Sequence, residues 1–599
     1  MGTIRLLGPP SIEQAGARPP RGRKAWALLA YLLLAERPPT RRRLAELLFG
    51  DADDPLGALR WSLAELRRAL GDGDVITGDP LAITLAPDTS VDVLVVTEDS
   101  ADPQPLLGFS GELLEGVELA SCPEFESWLL VERHRLSAAI EGRLRQTAIA
   151  LIARGRANDA VPFASKAVAM NPLEQGNHEL LVRSLAIAGD RTAALRQIAV
   201  CEDLLRRELG IEASAALREA SKVGPGSIAG PPLGGRAAAA SQLEAGRAAI
   251  AAGAVDAGIQ CLRRAVAETD HCNDPVLRSR ALAALGGALV HAVRGHDEEG
   301  AIVLHEAILV AEQAGDRTTS VHAHRELGFV EVQAGRRRTA ASWLDKATSL
   351  AETDDEHAAI LGVRGMNSSD QGDYPAAFEH LGESVELAAR CGDHRQQAWS
   401  LSLVGRAHLL RGEHSQATAT VRETLELVRR ERWIAFLPWP QSLMAELDLV
   451  AGDLEAATDG FEQAWVLGCQ LNDPCWEGMA GRGLGLLSAG RGDYAGASEW
   501  LAQAASRSSR EPDRYQWIHA YVLDAASTAA LARDDEERAR PLVTQLAAVA
   551  ARCDMRELMA RAKVHQARLG DSSAAASARL LGAGIDNPAL TDLLSQEKP

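Results

Sequence analysis

Glycine recurs at nearly fixed intervals through the second half of the chain, at Gly253, Gly295, Gly335, Gly372, Gly412, Gly452 and Gly492. Successive spacings are 42, 40, 37, 40, 40 and 40. Five residues after most of them stands alanine: Ala340, Ala377, Ala417, Ala457 and Ala497. Seven residues before the later ones stands a small residue: Gly328, Gly365, Gly405, Ala445 and Gly485. Such a period marks a stack of similar units, each burying its apolar face only against its neighbours. The turns read GDY, GEH and GDL. Glycine stops one helix there, and the acidic residue starts the next. The small residues then let the two antiparallel helices of a unit approach closely. Residues 241–570 are therefore predicted to be an array of helix pairs, with 571–599 as a loosely patterned tail.

A shorter run shows the same grammar at Gly155 with Ala160 and at Gly189 with Ala194. The step from Gly155 to Gly189 matches the tetratricopeptide period of about 34 residues. Both arrays resemble tetratricopeptide repeats, the second with about six more residues per unit. Residues 107–221 form the first helical region, and 91–106 read as a polar connector. The Gly/Pro/Ala-rich stretch 222–240 reads as a flexible linker.

Hydrophobic residues make up 46% of the chain but aromatics only 4%, so the core must be built of Ala and Leu in closely packed helices. The longest apolar run, Trp26 to Ala35, is half of what a membrane crossing needs. The N-terminus lacks a basic-then-apolar signal pattern. Eight cysteines without a CxxC pair suit a reducing cytoplasm. The charge is −19 but uneven: residues 1–90 hold 12 Lys and Arg against 11 Asp and Glu, the rest 51 against 71. Only the head tolerates DNA; the body would repel phosphates.

Residues 1–90 read as short strands (TIRLLG, SIEQAG), three helices and a hairpin. KAWALLAYLLLAE is an apolar first helix stopped by Pro38 and Pro39. Thr40 caps a second helix whose first turn carries Arg41, Arg42 and Arg43, where cations oppose the helix dipole and an external phosphate would relieve them. In the third helix Leu59, Leu63, Leu66 and Leu70 form the core face. Arg60, Trp61, Ala64, Arg67 and Arg68 lie on the other side, as a major-groove reader requires. VITGDPLAITLAP stands where a wing would be. Asp72, Asp74 and Asp79 make that wing unfavourable for a minor groove.

The stretches RLLGPPSIE, RGRKAWALLAYLLLAERPPTRRRLAELLFGD and ALRWSLAELRRALG resemble the winged-helix head of the Streptomyces antibiotic regulatory proteins. GFSGELLEGVELASCPEFESWLLVERHRL and AGDRTAALRQIAVCEDLLRRELGIEAS resemble the bacterial transcriptional activator domain that follows that head. The resemblance runs from the start of the chain to the linker. It implies sequence-specific binding to repeated promoter sites and recruitment of RNA polymerase. It departs from larger members in lacking their nucleotide-binding module. None of the six lysines follows a glycine, so a phosphate loop of the GxxxxGK[ST] kind cannot form.

The expected fold is mostly α: a winged-helix head (1–90), an activator domain (107–221), the linker and the solenoid. The expected function is a DNA-binding transcriptional regulator, nucleoid-associated in the cytoplasm and needing no cofactor; two copies on a repeated site form a homodimer. The competing class is an interaction scaffold whose head no longer binds DNA. No nucleophile–base pair or metal spacing suggests an enzyme; His322, His324 and Glu326 diverge around a helix, and Cys122 reads as a structural thiol. The first helix of each pair lines the concave face. Its groove positions map to His322, Arg325, Phe329, Met366, Trp399, Arg406, Trp439, Arg482 and His519. Trp399, Arg406 and Trp439 are expected to form a patch for a protein or peptide, with filling of inter-repeat core as the alternative for the two tryptophans.

Overall fold

The computed structural model describes residues 2–596 apart from 14–17, 36, 72–74, 98–101, 209–210, 223–234, 293–295 and 511–513. Most of the expected linker, together with Asp72, Asp74 and Gly295, lies outside the described residues. The chain divides into two compact units, Met1–Glu141 and Gly142–Pro599.

The first unit begins with β1 (Gly2–Arg5) and β2 (Ser11–Glu13), followed by α1 (Arg23–Leu34), α2 (Arg41–Phe49) and α3 (Pro55–Leu70). The hairpin β3 (Ile76–Gly78) and β4 (Leu81–Ile83) comes next, then β5 (Thr89–Val91) and α4 (Asp92–Thr97). β1 is central in a three-stranded sheet, antiparallel to β2 and parallel to β5. The connector expected at 91–106 is thus partly structural. β5 closes the sheet, and the buried Asp92 carboxylate accepts the backbone N–H groups of Leu6 and Leu7 at 2.8–2.9 Å. Thr40 caps α2 by accepting from Arg43 N, and Asp54 caps α3 by accepting from Gly57 N. Gly71 ends α3 at φ 79°, where a left-handed residue satisfies the last carbonyls. A long helix, α5 (Pro123–Ala153), leaves this unit.

The second unit continues with α6 (Ala157–Met170), α7 (Gln175–Ile187), α8 (Arg191–Glu208) and α9 (Ala215–Glu219). Helix pairs follow: α10/α11 (Arg236–Ala251, Val255–Thr269), α12/α13 (Pro275–His291, Asp297–Ala314), α14/α15 (Arg317–Gln333, Arg337–Leu350) and α16/α17 (Asp354–Gln371, Tyr374–Cys391). Next come α18/α19 (His394–Leu410, His414–Arg430), α20/α21 (Pro438–Ala451, Leu454–Leu471) and α22/α23 (Pro474–Gly490, Tyr494–Ser508). The last are α24/α25 (Gln516–Leu531, Glu536–Arg552), α26/α27 (Arg556–Arg568, Ala574–Gly582) and a closing α28 (Pro588–Gln596). The expected tail therefore carries two helices.

The repeat signature has the anticipated physical basis. Gly335, Gly372, Gly412, Gly452 and Gly492 all have φ between 75° and 84°. Asp373, Asp453 and Asp493 each accept from a backbone N–H three residues on. A Cβ added at Gly328, Gly365, Gly405 or Gly485 would come within 2.4–2.8 Å of Leu344, Leu381, Val421 or Leu501 on the partner helix.

Candidate nucleic-acid interface and repeat interior

Helix α3 divides cleanly by face. Leu59, Leu63, Leu66 and Leu70 are buried. Arg60, Trp61, Ala64 and Arg68 are exposed, Trp61 by 56%. Leu56, one turn before Arg60, is also exposed, so the outward stripe mixes cations with apolar surface. Arg60 lies 3.5 Å from Asp54, and Arg68 pairs with Glu65. Arg42 on α2 is 89% exposed, beside Glu46 at 2.9 Å.

Three of the arginines expected to face DNA serve the fold instead. Arg67 donates from Nε and Nη2 to Ile76 O, which ties α3 to the first strand of the hairpin. Arg41 donates from its guanidinium to Gly78 O at 3.2–3.3 Å. Arg43 reaches Glu124 at 2.9 Å. The strain of cations at the α2 N-terminus is thus relieved internally, by a carbonyl and a carboxylate. Asp79 at the hairpin tip accepts from Arg41 N at 2.9 Å, so this acid is turned toward α2.

In the second unit, the array turns back on itself. Arg337, Asp370, Arg406 and Tyr515 meet, although the first three come from separate helix pairs and Tyr515 caps α24. Arg406 Nη2 is 2.7 Å from Asp370 Oδ1, and Nη1 donates to Tyr515 Oη at 2.9 Å. Its guanidinium stacks 4.2 Å from the Trp517 ring. Arg337 reaches the other Asp370 oxygen at 3.0 Å and donates to Cys553 O at 3.1 Å. Nearby, Arg482 pairs with Glu446 at 2.8 Å and lies 3.7 Å over Tyr521, whose hydroxyl donates to Glu446. Tyr374 donates to Glu557, which also accepts from Asn587 at 3.0 Å. Asn587 in turn donates to Leu410 O. Helices α24 to α28 and the turns between them therefore close on α15 to α18 and on α20.

The expected Trp399–Arg406–Trp439 patch is overturned: the closure buries Arg406, and the inter-repeat core buries Trp439. Arg406 is 1% and Trp439 3% exposed, and Arg482 is buried. Trp439 donates from Nε1 to Ser402 Oγ at 3.1 Å and packs 5.6 Å from Trp476. Trp399 is half-buried, edge-on to Phe329. Met366 and His519 are buried. Of the expected groove residues, His322 alone is exposed; Arg325 and Phe329 are half-buried beside it. The closing partners Asp370, Glu446 and Tyr515 carry no local mark in the sequence, because the arginines that give them their role lie 36 to 109 residues away.

The activator-region loop before α7 joins the same network. Glu174 lies 3.0 Å from Arg552 and 3.3 Å from Arg514. Burial raises its carboxyl pKa, but these guanidiniums, with Arg145, more than offset that and lower it to about 2. Burial, with a smaller push from Arg514, drives His519 down to about 3. No described helix is long and apolar enough to cross a membrane.

Comparison with known proteins locates two families in the chain. Residues 104–222 match the bacterial transcriptional activator domain, and residues 356–430 match the tetratricopeptide repeat. Both are regulatory or interaction modules. No curated protein matches the chain. Among solved structures, a Rap protein complexed with competence and sporulation factor is 14% identical, covering 60% of this chain and 90% of that one at a TM-score of 0.41. Mycobacterium tuberculosis EmbR in complex with a low-affinity phosphopeptide is 19% identical, covering 37% and 64% at 0.29. The APC/C hetero-tetramer Cut9–Hcn1 is 12% identical, covering 76% and 96% at 0.31.

Proposed function

Because this chain carries a bacterial transcriptional activator domain and tetratricopeptide repeats, we propose that it is a DNA-binding transcriptional regulator whose repeat array docks a protein partner. The observation that carries the reading is the exposed face of α3. Arg60, Trp61, Ala64 and Arg68 face outward there from a helix whose opposite side is fixed in the core. A helix held by its apolar back can enter a major groove and offer guanidinium groups to base edges. Arg42, outward on α2, supplies a phosphate contact. The activator domain then engages RNA polymerase, as in the Streptomyces antibiotic regulatory proteins that the head resembles. The protein acts in the cytoplasm at the nucleoid, as two copies on a repeated site.

One observation favours the scaffold reading: the short hairpin directs Asp79 to α2 and brings Arg41 with it, so its tip adds no cation for a minor groove. A single experiment separates the two. The full chain is used to capture fragments of genomic DNA at stated salt. Recovery of a repeated motif supports the regulator. Arg60→Ala should then weaken specific binding by about 1–3 kcal/mol. Arg42→Ala with Arg68→Ala should weaken specific and random DNA alike and flatten the salt dependence. Recovery of no motif, with binding unaffected in both variants, gives the scaffold.

A further inference from the structure

An open stretch of the interior lies beside the first three pairs of the array. A cavity of about 790 Å³ lies there against α10, α12 and α14, with Arg395 of α18 at its far side. Its volume falls in the range that binds small ligands or short peptide segments.

The charges of this cavity are sorted. Its two acids point inward and are already satisfied. Glu326 is buried, with Oε1 taken by Arg325 at 2.7 Å and Oε2 by His291 at 2.6 Å. Asp316 accepts from the hydroxyls of Ser279 and Thr319. The cations face the space. Arg247, Arg280 and Arg395 are exposed, and His322 is half-exposed at its side chain, directly over Gly287. Arg280 makes a long 3.4 Å contact to the already bonded Asp316, and Arg247 a 3.3 Å contact to Glu244. In a chain of formal charge −19, this is a local cationic basin. Its floor is different: Ile250, Leu262, Ala284 and Ala288 are apolar.

We infer that this cavity binds an acidic, aliphatic peptide segment of a partner protein, with its carboxylates on Arg247, Arg280 and Arg395 and its aliphatic side chains on the Ala284–Ala288 floor. A bare phosphate would satisfy the rim but leave the apolar floor wet. A purely apolar peptide would set three guanidiniums against aliphatic side chains. Mixed acidic and aliphatic character satisfies both, and acidic carboxylates pair with arginine in forked geometry. This inference rests on the reading of the array as a partner-binding half and names the chemistry it selects.

The test uses the full chain and a fluorescein-labelled pool of octapeptides built from Asp, Glu, Leu and Ala. A second pool replaces the acids with Lys and Arg. The acidic pool should bind saturably with Kd on the order of 10 µM at low salt, and weaken as salt rises. Arg247→Glu with Arg280→Glu should weaken it tenfold or more while the melting temperature stays unchanged. Ala284→Trp, which fills the floor without touching a charge, should also abolish binding. Equal binding of both pools, binding that survives the double variant, or full displacement by pyrophosphate at the peptide's own concentration would overturn the proposal. So would an absence of binding up to about 1 mM. Capture of genomic DNA is measured on the same sample. Loss of one activity with retention of the other shows which of the two readings has failed.

Discussion

Arginine carries opposite meanings within a few residues of this chain. Arg60 and Arg68 are outward, while Arg67 between them is spent on a carbonyl of the hairpin. A helical wheel places all three near one side, yet only the neighbouring strand decides which is free. Arg67→Ala should therefore loosen the hairpin and lower the melting temperature, with weaker DNA binding as a secondary effect. Arg60→Ala should leave the melt unchanged. Arg406 is the extreme case, a buried cation held by Asp370 and Tyr515. Arg406→Met leaves Asp370 with Arg337 and the Tyr515 hydroxyl and should cost about 1–3 kcal/mol in urea unfolding, since a buried carboxylate loses one of its charged partners. If Arg406→Met melts like the parent, the closure does not hold in solution. His519 adds a pH dependence of known sign. Its folded pKa, about 3, lies below the unfolded value of about 6.5. The unfolded state therefore gains the proton first. Stability should fall by up to about 1.4 kcal/mol per pH unit as pH drops below 6.5, levelling off near 3. His519→Gln should remove that slope from a pH series of thermal melts.

At the scale of the helix pair, the sequence was informative because the physics is local. A left-handed glycine, an acidic cap and a small residue at the crossing all act within a single pair, so their recurrence from unit to unit is visible by counting. The α3 core face is legible for the same reason, since helical periodicity needs no knowledge of the partner. Two glycines in one pair test the crossing argument. A Cβ at Gly365 would press within 2.4 Å of Leu381, whereas one at Gly382 meets nothing within 4 Å. Gly365→Ala should destabilise by about 1–3 kcal/mol, because the pair must move apart. Gly382→Ala, in the interior of α17, should stabilise by about 0.5–1 kcal/mol by removing chain entropy. Equal effects in denaturant titrations would contradict the close crossing. What pair-level patterns could not convey is which inward side chains are already occupied. The position of Arg406 is that of a ligand face in an open array, and the return of α24 turns it into core, whereas Trp439 is core through its neighbours Ser402 and Trp476.

The molecule's second unit is joined across very long chain separations. Glu174, ahead of the array, is held by Arg552 near its end. Its lowered carboxyl contributes stability that is fully present above the unfolded pKa of about 4.5 and is lost as pH falls through about 2. Glu174→Gln should flatten acid unfolding within that window and release the ends of the second unit to earlier proteolysis. Unchanged acid unfolding would show that the contact contributes nothing. The same separation sets a schedule for synthesis. A ribosome moving at about 5–20 residues per second needs roughly 20–75 s to pass from Glu174 to Arg552. Late in that interval Asp370, Arg337 and Arg406 have emerged, while Tyr515 and the backbone of Cys553 do not yet exist. The nascent array must wait with charged side chains that its finished form hides, while α3, made far earlier, is complete long before the second unit can close.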